Sequence, residues 1–269
     1  MIKPKGTLIA LGGGGDDVLI KLIRSDYCHH KSVVEVITTA APEPEESGQA
    51  YVEAFEEFGF PHVQFMHVDE NNAADQPAYL ERIQKADVVF FTGGDQRRLL
   101  KFLKGTQINK ILKERYQNED LIIAGTSAGS AAMSDKMIYE GYGPYSLEKG
   151  RTKTSAGLSF IRKLYIDTHF TERGRFGRLS IAVSQHPEYI GIGLGEETGI
   201  IIREGSLLEV FGIGVVTIID GSEIKNSNIN EVAEGLPISV EHLVMHLLVE
   251  GQQFCLKNKK VKYAVNRAV

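Results

Sequence analysis

Residues 87–133, DVVFFTGGDQRRLLKFLKGTQINKILKERYQNEDLIIAGTSAGSAAM, decide the fold. DVVFFTGG (87–94) and LIIAGT (121–126) read as short strands that each end in a turn containing glycine, and between them residues 96–116 carry apolar side chains at helical spacing. A strand that reads as a continuous apolar run is buried on both faces, and a helical crossover brings the next strand back parallel to it. The same alternation extends to both sides. TLIAL (7–11), VVEVITT (33–39) and VQFMHV (63–68) read as strands, and SGQAYVEAFEEFG (47–59) and QPAYLERIQKA (76–86) as helices. The pattern predicts an α/β fold with a doubly wound, mostly parallel sheet.

From Tyr139 the rhythm changes. Residues 139–160 are rich in glycine, tyrosine and charge and read as a long functional loop. A strand (KLYID, 163–167) and a helix (GRFGRLSIAVSQH, 174–186) follow, then short apolar strands at 191–194, 199–204, 207–212 and 215–220, read as an antiparallel extension of the same sheet. The basic segment LKNKKVKYAVNR near the end reads as an edge strand guarded by lysines. No linker rich in proline or serine divides the chain, so residues 1–269 are expected to form one α/β domain.

A net charge of −5 leaves no global basic field to attract nucleic acid or anionic lipid. The only cysteines, Cys28 and Cys255, have no CxxC spacing, which argues against a zinc ribbon or a disulfide framework and fits a reducing cytoplasm. No apolar run approaches the roughly 20 residues that span a bilayer, and the opening MIKPKGTLIALGGGGDD carries no export signal. A soluble, cytoplasmic protein is expected.

In GTSAGS, Gly125 and Gly129 bracket Ser127 at the G-x-S-x-G spacing, after a strand and before a helix. Small flanking residues let a sharp turn close, which is what a nucleophile elbow requires, and the Ala128 N–H then faces a developing oxyanion. The alternative is a tight strand-to-helix turn with a capping hydroxyl. A second glycine turn, FFTGGDQ (90–96), offers the Gly94 N–H as another oxyanion donor, or else an anion site at a helix start. Of the eight histidines, His169 alone ends a predicted strand among polar residues. It is the candidate base, with a surface imidazole as the alternative. Glu196, in the turn GIGLGEETGIII (191–202), is the candidate orienting acid, unless it and Glu197 are solvated turn residues. Arg173, Arg175 and Arg178 suit bidentate capture of carboxylates and suggest an acidic substrate, although a solvated helix start reads similarly. His242 and His246 have the i, i+4 spacing of a helical metal site, but leucine follows His242 where a zincin needs glutamate, so a plain helix face is expected. GGGGDD fails as a dinucleotide fingerprint because Asp17 occupies the third glycine position. No metal or organic cofactor is called for.

Taken in order, FTGGDQ, GTSAGS, IDTHFTERGRFGRL and GIGLGEETG resemble the S51 serine peptidase family, cyanophycinases in particular, over roughly residues 5–220. The resemblance implies a fold like class I glutamine amidotransferases (flavodoxin-like), a homodimer, and an exopeptidase releasing β-Asp-Arg from cyanophycin, a polyaspartate with arginine on each side-chain carboxyl. It implies Ser127 as nucleophile, His169 as base, Glu196 as acid, and Gln96, Asp167, Arg173, Arg175 and Arg178 as substrate-pocket positions. Thr168 stands where such relatives usually have glutamine, and Gly195 where they have an acidic residue. An α-aspartyl dipeptidase like peptidase E, or a non-catalytic small-ligand binder on the same scaffold, are the rival expectations.

Overall fold

The computed structural model describes residues 3–29 and 31–262. Its first half runs β1 (Thr7–Leu11), α1 (Asp17–Asp26), β2 (Val33–Ile37), α2 (Pro44–Glu57), β3 (His62–Met66), α3 (Pro77–Lys85), β4 (Val88–Phe91), α4 (Gln96–Leu103), α5 (Gln107–Asn118), β5 (Ile122–Thr126) and α6 (Ala128–Ala131). The second half runs β6 (Lys136–Glu140), β7 (Lys153–Ala156), β8 (Leu164–Asp167), α7 (Phe176–Gln185), β9 (Ile190–Leu194), β10 (Thr198–Arg203), β11 (Leu207–Gly212), β12 (Val216–Asp220), β13 (Val244–Leu248), β14 (Gln253–Cys255) and β15 (Lys260–Lys262).

The apolar runs become strands buried on both faces. In β1, Leu8 and Ala10 enter the core on one side while Ile9 and Leu11 enter the core on the other; in β4, Val89 and Phe91 alternate with Val88 and Phe90 in the same way. The strand order is β15-β14-β11-β10-β1-β5-β4-β2-β3. β1, β5, β4, β2 and β3 are parallel, and β10, β11, β14 and β15 continue the sheet antiparallel. The fold is thus a mixed α/β arrangement around a large central sheet.

Four expectations change. The single helix over 96–116 is two, because Thr106 accepts from the Asn109 amide and starts α5 afresh. Only β10 and β11 of the short strands extend the central sheet. β9 and β12 form a second, four-stranded sheet in the order β13-β12-β9-β8, which shares one continuous core with the first through Leu164, Ile192 and Val216. The expected loop over 139–160 contains a β6–β7 hairpin and a 3-10 turn at 144–147. Finally, the helix expected around His242 and His246 is strand β13, with His246 in the strand and His242 before it, so the i, i+4 spacing brings no helical face into being. β15 lies at the sheet edge, as its lysines suggested; the rest of the basic segment, from 263 on, is outside the described residues. Among the described residues no helix is long and apolar enough to cross a membrane.

Candidate active site

Ser127 follows β5 directly and has φ 49° and ψ −111°, a sparsely populated conformation for a residue with a side chain. The surroundings hold it there. Its N–H donates to the Leu11 carbonyl at 3.0 Å, its own carbonyl accepts from the Ala131 amide at 3.0 Å, and Gly129 lets α6 press on β4, since a Cβ there would lie 2.2 Å from the Phe91 oxygen. α6 is a single short turn rather than the full helix the motif suggested, so little macrodipole stands behind the serine.

His169, just past β8, places Nε2 2.8 Å from Ser127 Oγ and Nδ1 2.6 Å from Glu196 Oε1. With the Nδ1 proton donated to Glu196, Nε2 accepts from the serine hydroxyl. Glu196 occupies the connection in which the chain passes from β9 in the second sheet to β10 in the first. The three side chains, distant in sequence, form one hydrogen-bonded relay.

What aligns them is the loop after β1. Three consecutive carbonyls hold the three segments: Leu11 accepts from Ser127 N–H, Gly12 from His169 N–H at 2.8 Å, and Gly13 from Glu197 N–H at 2.8 Å. Gly13 also lies against the imidazole, so that a Cβ at this position would sit 2.3 Å from His169 Cε1. The residue pattern of GGGGDD, which fails as a dinucleotide fingerprint, gives no sign of this function. The available signal was its place, a third glycine turn at the C-terminal end of a predicted parallel strand, like the turns carrying Gly94 and Ser127.

A cleft of about 400 Å³ opens beside the relay, lined by Gly94, Gln96, Ala128, Asp167, Thr168, Arg173, Arg175 and Arg178, together with Tyr139, Glu140 and Tyr142 of the β6–β7 hairpin. The hairpin residues fall in the segment expected to be a functional loop, although nothing in their spacing singles out these three side chains. Gln96 opens α4 and donates to the Ile138 carbonyl at 3.2 Å.

The three arginines have different fates. Arg178 is 2% exposed and bidentate on Asp167, with Nε 2.7 Å from Oδ2 and a second contact to Oδ1. Arg175 donates to the Thr168 carbonyl at 2.5 Å and keeps a buried Nε with no hydrogen-bond partner among the described residues. Burial pulls its guanidinium down to about 10, against the pull of Asp167 in the other direction. Arg173 is exposed. The three arginines expected to face substrate are thus unequal: Arg178 has its fork occupied by Asp167, while Arg175 and Arg173 retain donors. Thr168 is buried, and its main chain carries Arg175.

Residues 8–210 match the model of peptidase family S51. The chain belongs to this family. As an S51 member it is a peptidase, and the relay of serine, histidine and glutamate fits a serine-type hydrolase. A cyanophycinase from Trichormus variabilis is 32% identical over 267 residues, covering 98% of this chain and 90% of the relative. A cyanophycinase from Geminocystis herdmanii is 32% identical over 254 residues, covering 93% of each. Among solved structures, a peptidase from an acI-B1 actinobacterium superposes with a TM-score of 0.66 at 20% identity, covering 94% of this chain and 98% of that one, and shares the fold.

Proposed function

We propose that this S51 peptidase is a cyanophycinase: a cytoplasmic, homodimeric serine exopeptidase that hydrolyses the aspartyl backbone of cyanophycin and releases β-Asp-Arg. The observation that carries the reading is the near full-length similarity to cyanophycinases in a chain whose Ser127, His169 and Glu196 stand in hydrogen-bonded register. Ser127 Oγ attacks the aspartyl carbonyl while its proton passes to His169 Nε2, and Glu196 stabilises the imidazolium. The amides of Gly94 and Ala128 receive the oxyanion. His169 then protonates the leaving amine, and water, deprotonated by the same imidazole, hydrolyses the acyl-enzyme. The scheme calls on no metal or organic cofactor.

In the cleft, Arg175, with its unpartnered Nε, and exposed Arg173 bind substrate carboxylates. Gln96 and Thr168 shape the wall, and the Asp167–Arg178 pair serves as its rigid floor. Glu140, which also pairs with Lys153, and the exposed Tyr142, whose ring has the Arg178 guanidinium 5.8 Å from its centroid, offer the arginyl side chains of the polymer a carboxylate and an aromatic edge at the cleft. The dimer is supported by edge strand β13, where Met245 and Leu247 are exposed, with exposed Val249 directly after it.

One observation favours a second reading. Thr168 is smaller than the glutamine expected there and leaves room for another substrate, as in an α-aspartyl dipeptidase. Hydrolysis of cyanophycin compared with hydrolysis of Asp-X dipeptides tests the two: preference for the polymer supports the proposal, and preference for the dipeptides overturns it.

A further inference from the structure

Beyond Tyr142 the cleft adjoins a second hollow of about 340 Å³, lined by Glu140, Gly141, Tyr142, Tyr145 and Arg151. Glu140 and Tyr142 line both spaces, whereas Ser127 lines only the first. The chain around the hollow is braced. Buried Thr152 donates to the Ser146 carbonyl at 3.1 Å, the Glu148 amide to the Tyr145 carbonyl at 3.0 Å, and the Ile238 amide to the Leu147 carbonyl at 2.9 Å. Gly177 seats the 3-10 turn on α7, since a Cβ there would lie 2.5 Å from Ser146 Oγ. Tyr145 is nevertheless 65% exposed, an aromatic ring held out on a braced turn next to the cleft.

The charged groups of the hollow have bonding capacity to spare. Glu140 pairs with Lys153 through Oε1 at 3.1 Å, and its Oε2 has no hydrogen-bond partner among the described residues. Arg151 donates from Nε to Glu148 Oε2 at 3.2 Å, and neither of its Nη groups has a partner among them. Arg151 lies two positions before Lys153, the cross-strand neighbour of Glu140, so one hairpin presents a carboxylate, a guanidinium and two phenol rings to a single space. The matching ligand carries a cation that stacks on an aromatic face and pairs with a carboxylate, and an anion that a guanidinium grips. In β-Asp-Arg the arginine is joined through its α-amino group, which leaves it both a guanidinium and a carboxylate.

We propose that the hollow is a further subsite that takes the arginyl branch of a third unit of the polymer, with its guanidinium against Tyr145 and Glu140 and its carboxylate on Arg151. The inference rests on the reading of the enzyme as a cyanophycinase. Two units flank any scissile bond and occupy the cleft at Ser127, so only a chain of three or more units fills both spaces. The subsite therefore makes the enzyme favour longer chains.

Kinetics on cyanophycin and on a synthetic two-unit oligomer of β-Asp-Arg test this. Wild-type kcat/KM should be higher on the polymer. Tyr145→Ala and Arg151→Ala, both at exposed positions, should each raise KM for the polymer about three- to tenfold with kcat within about twofold, and change neither constant for the two-unit oligomer by more than about twofold. Tyr145→Phe keeps the stacking face and should match the wild type on both. Unchanged polymer KM in the two alanine variants, an equal loss on both substrates, or a wild type with equal kcat/KM on both would overturn the proposal. Wild-type enzyme that leaves the polymer intact contradicts the cyanophycinase reading and the subsite with it, whereas polymer hydrolysis with unchanged variants contradicts the subsite alone.

Discussion

Gly13 is fixed by its neighbour. The 2.3 Å distance from a Cβ at this position to His169 Cε1 means that alanine must displace the ring. A displacement of about 1 Å at a reacting group can cost about 100-fold in rate, so Gly13→Ala should lose roughly that much kcat/KM while remaining folded. Gly15→Ala is the control, since the nearest atom to its Cβ is Glu197 Oε1 at 3.8 Å. Equal kinetics for the two variants would show that the imidazole has room to spare. At this scale Ser127, His169 and Glu196 were legible because each follows a strand that reads as an apolar run. The loop at 11–13 was visible only as a third glycine turn, because its main-chain carbonyls carry no side-chain signature of the segments they hold.

β8 and α7 are joined by the buried Asp167–Arg178 pair, which lies at the cleft. Removing one partner of such a pair leaves an uncompensated buried charge and costs about 3–5 kcal/mol. Arg178→Ala should therefore lower the chemical denaturation midpoint markedly, in addition to any change in KM, whereas a denaturation curve matching the wild type would contradict the structural role assigned to the pair. The arginine cluster in the sequence pointed to substrate alone, since the carboxylate that occupies Arg178 lies eleven positions earlier on another element. Strand existence was legible, but strand partners were not: β9 (IGIGL) and the central GIII of β10 are similar apolar runs, and only their packing sends them to different sheets. Around His242–His246, helical and strand periods competed over a short stretch. Pairing with β12 decides for the strand, and His246 packs against Phe254 with ring centroids 5.4 Å apart.

Over the whole molecule, β1, β4, β5, β8 and β9 all deliver the turns after their C-terminal ends to one region, which is why five separate motifs meet. The meeting of the β1, β4 and β5 turns was foreseeable from the parallel alternation of the first half, while the contribution of β8 and β9 emerged only with the second sheet in place. The exposed apolar residues at and just after β13 make the homodimer testable. Sedimentation of the wild type should give a dimer and Leu247→Asp a folded monomer; a wild-type monomer would contradict the assignment. Mass-spectrometric analysis of the products after incubation with the polymer, using Ser127→Ala as the blank, decides whether Ser127 cleaves the aspartyl backbone of cyanophycin. The prediction is β-Asp-Arg from the wild type and none from Ser127→Ala. Intact polymer after incubation with wild-type enzyme that cleaves Asp-X dipeptides, or dipeptide release that survives Ser127→Ala, would contradict it.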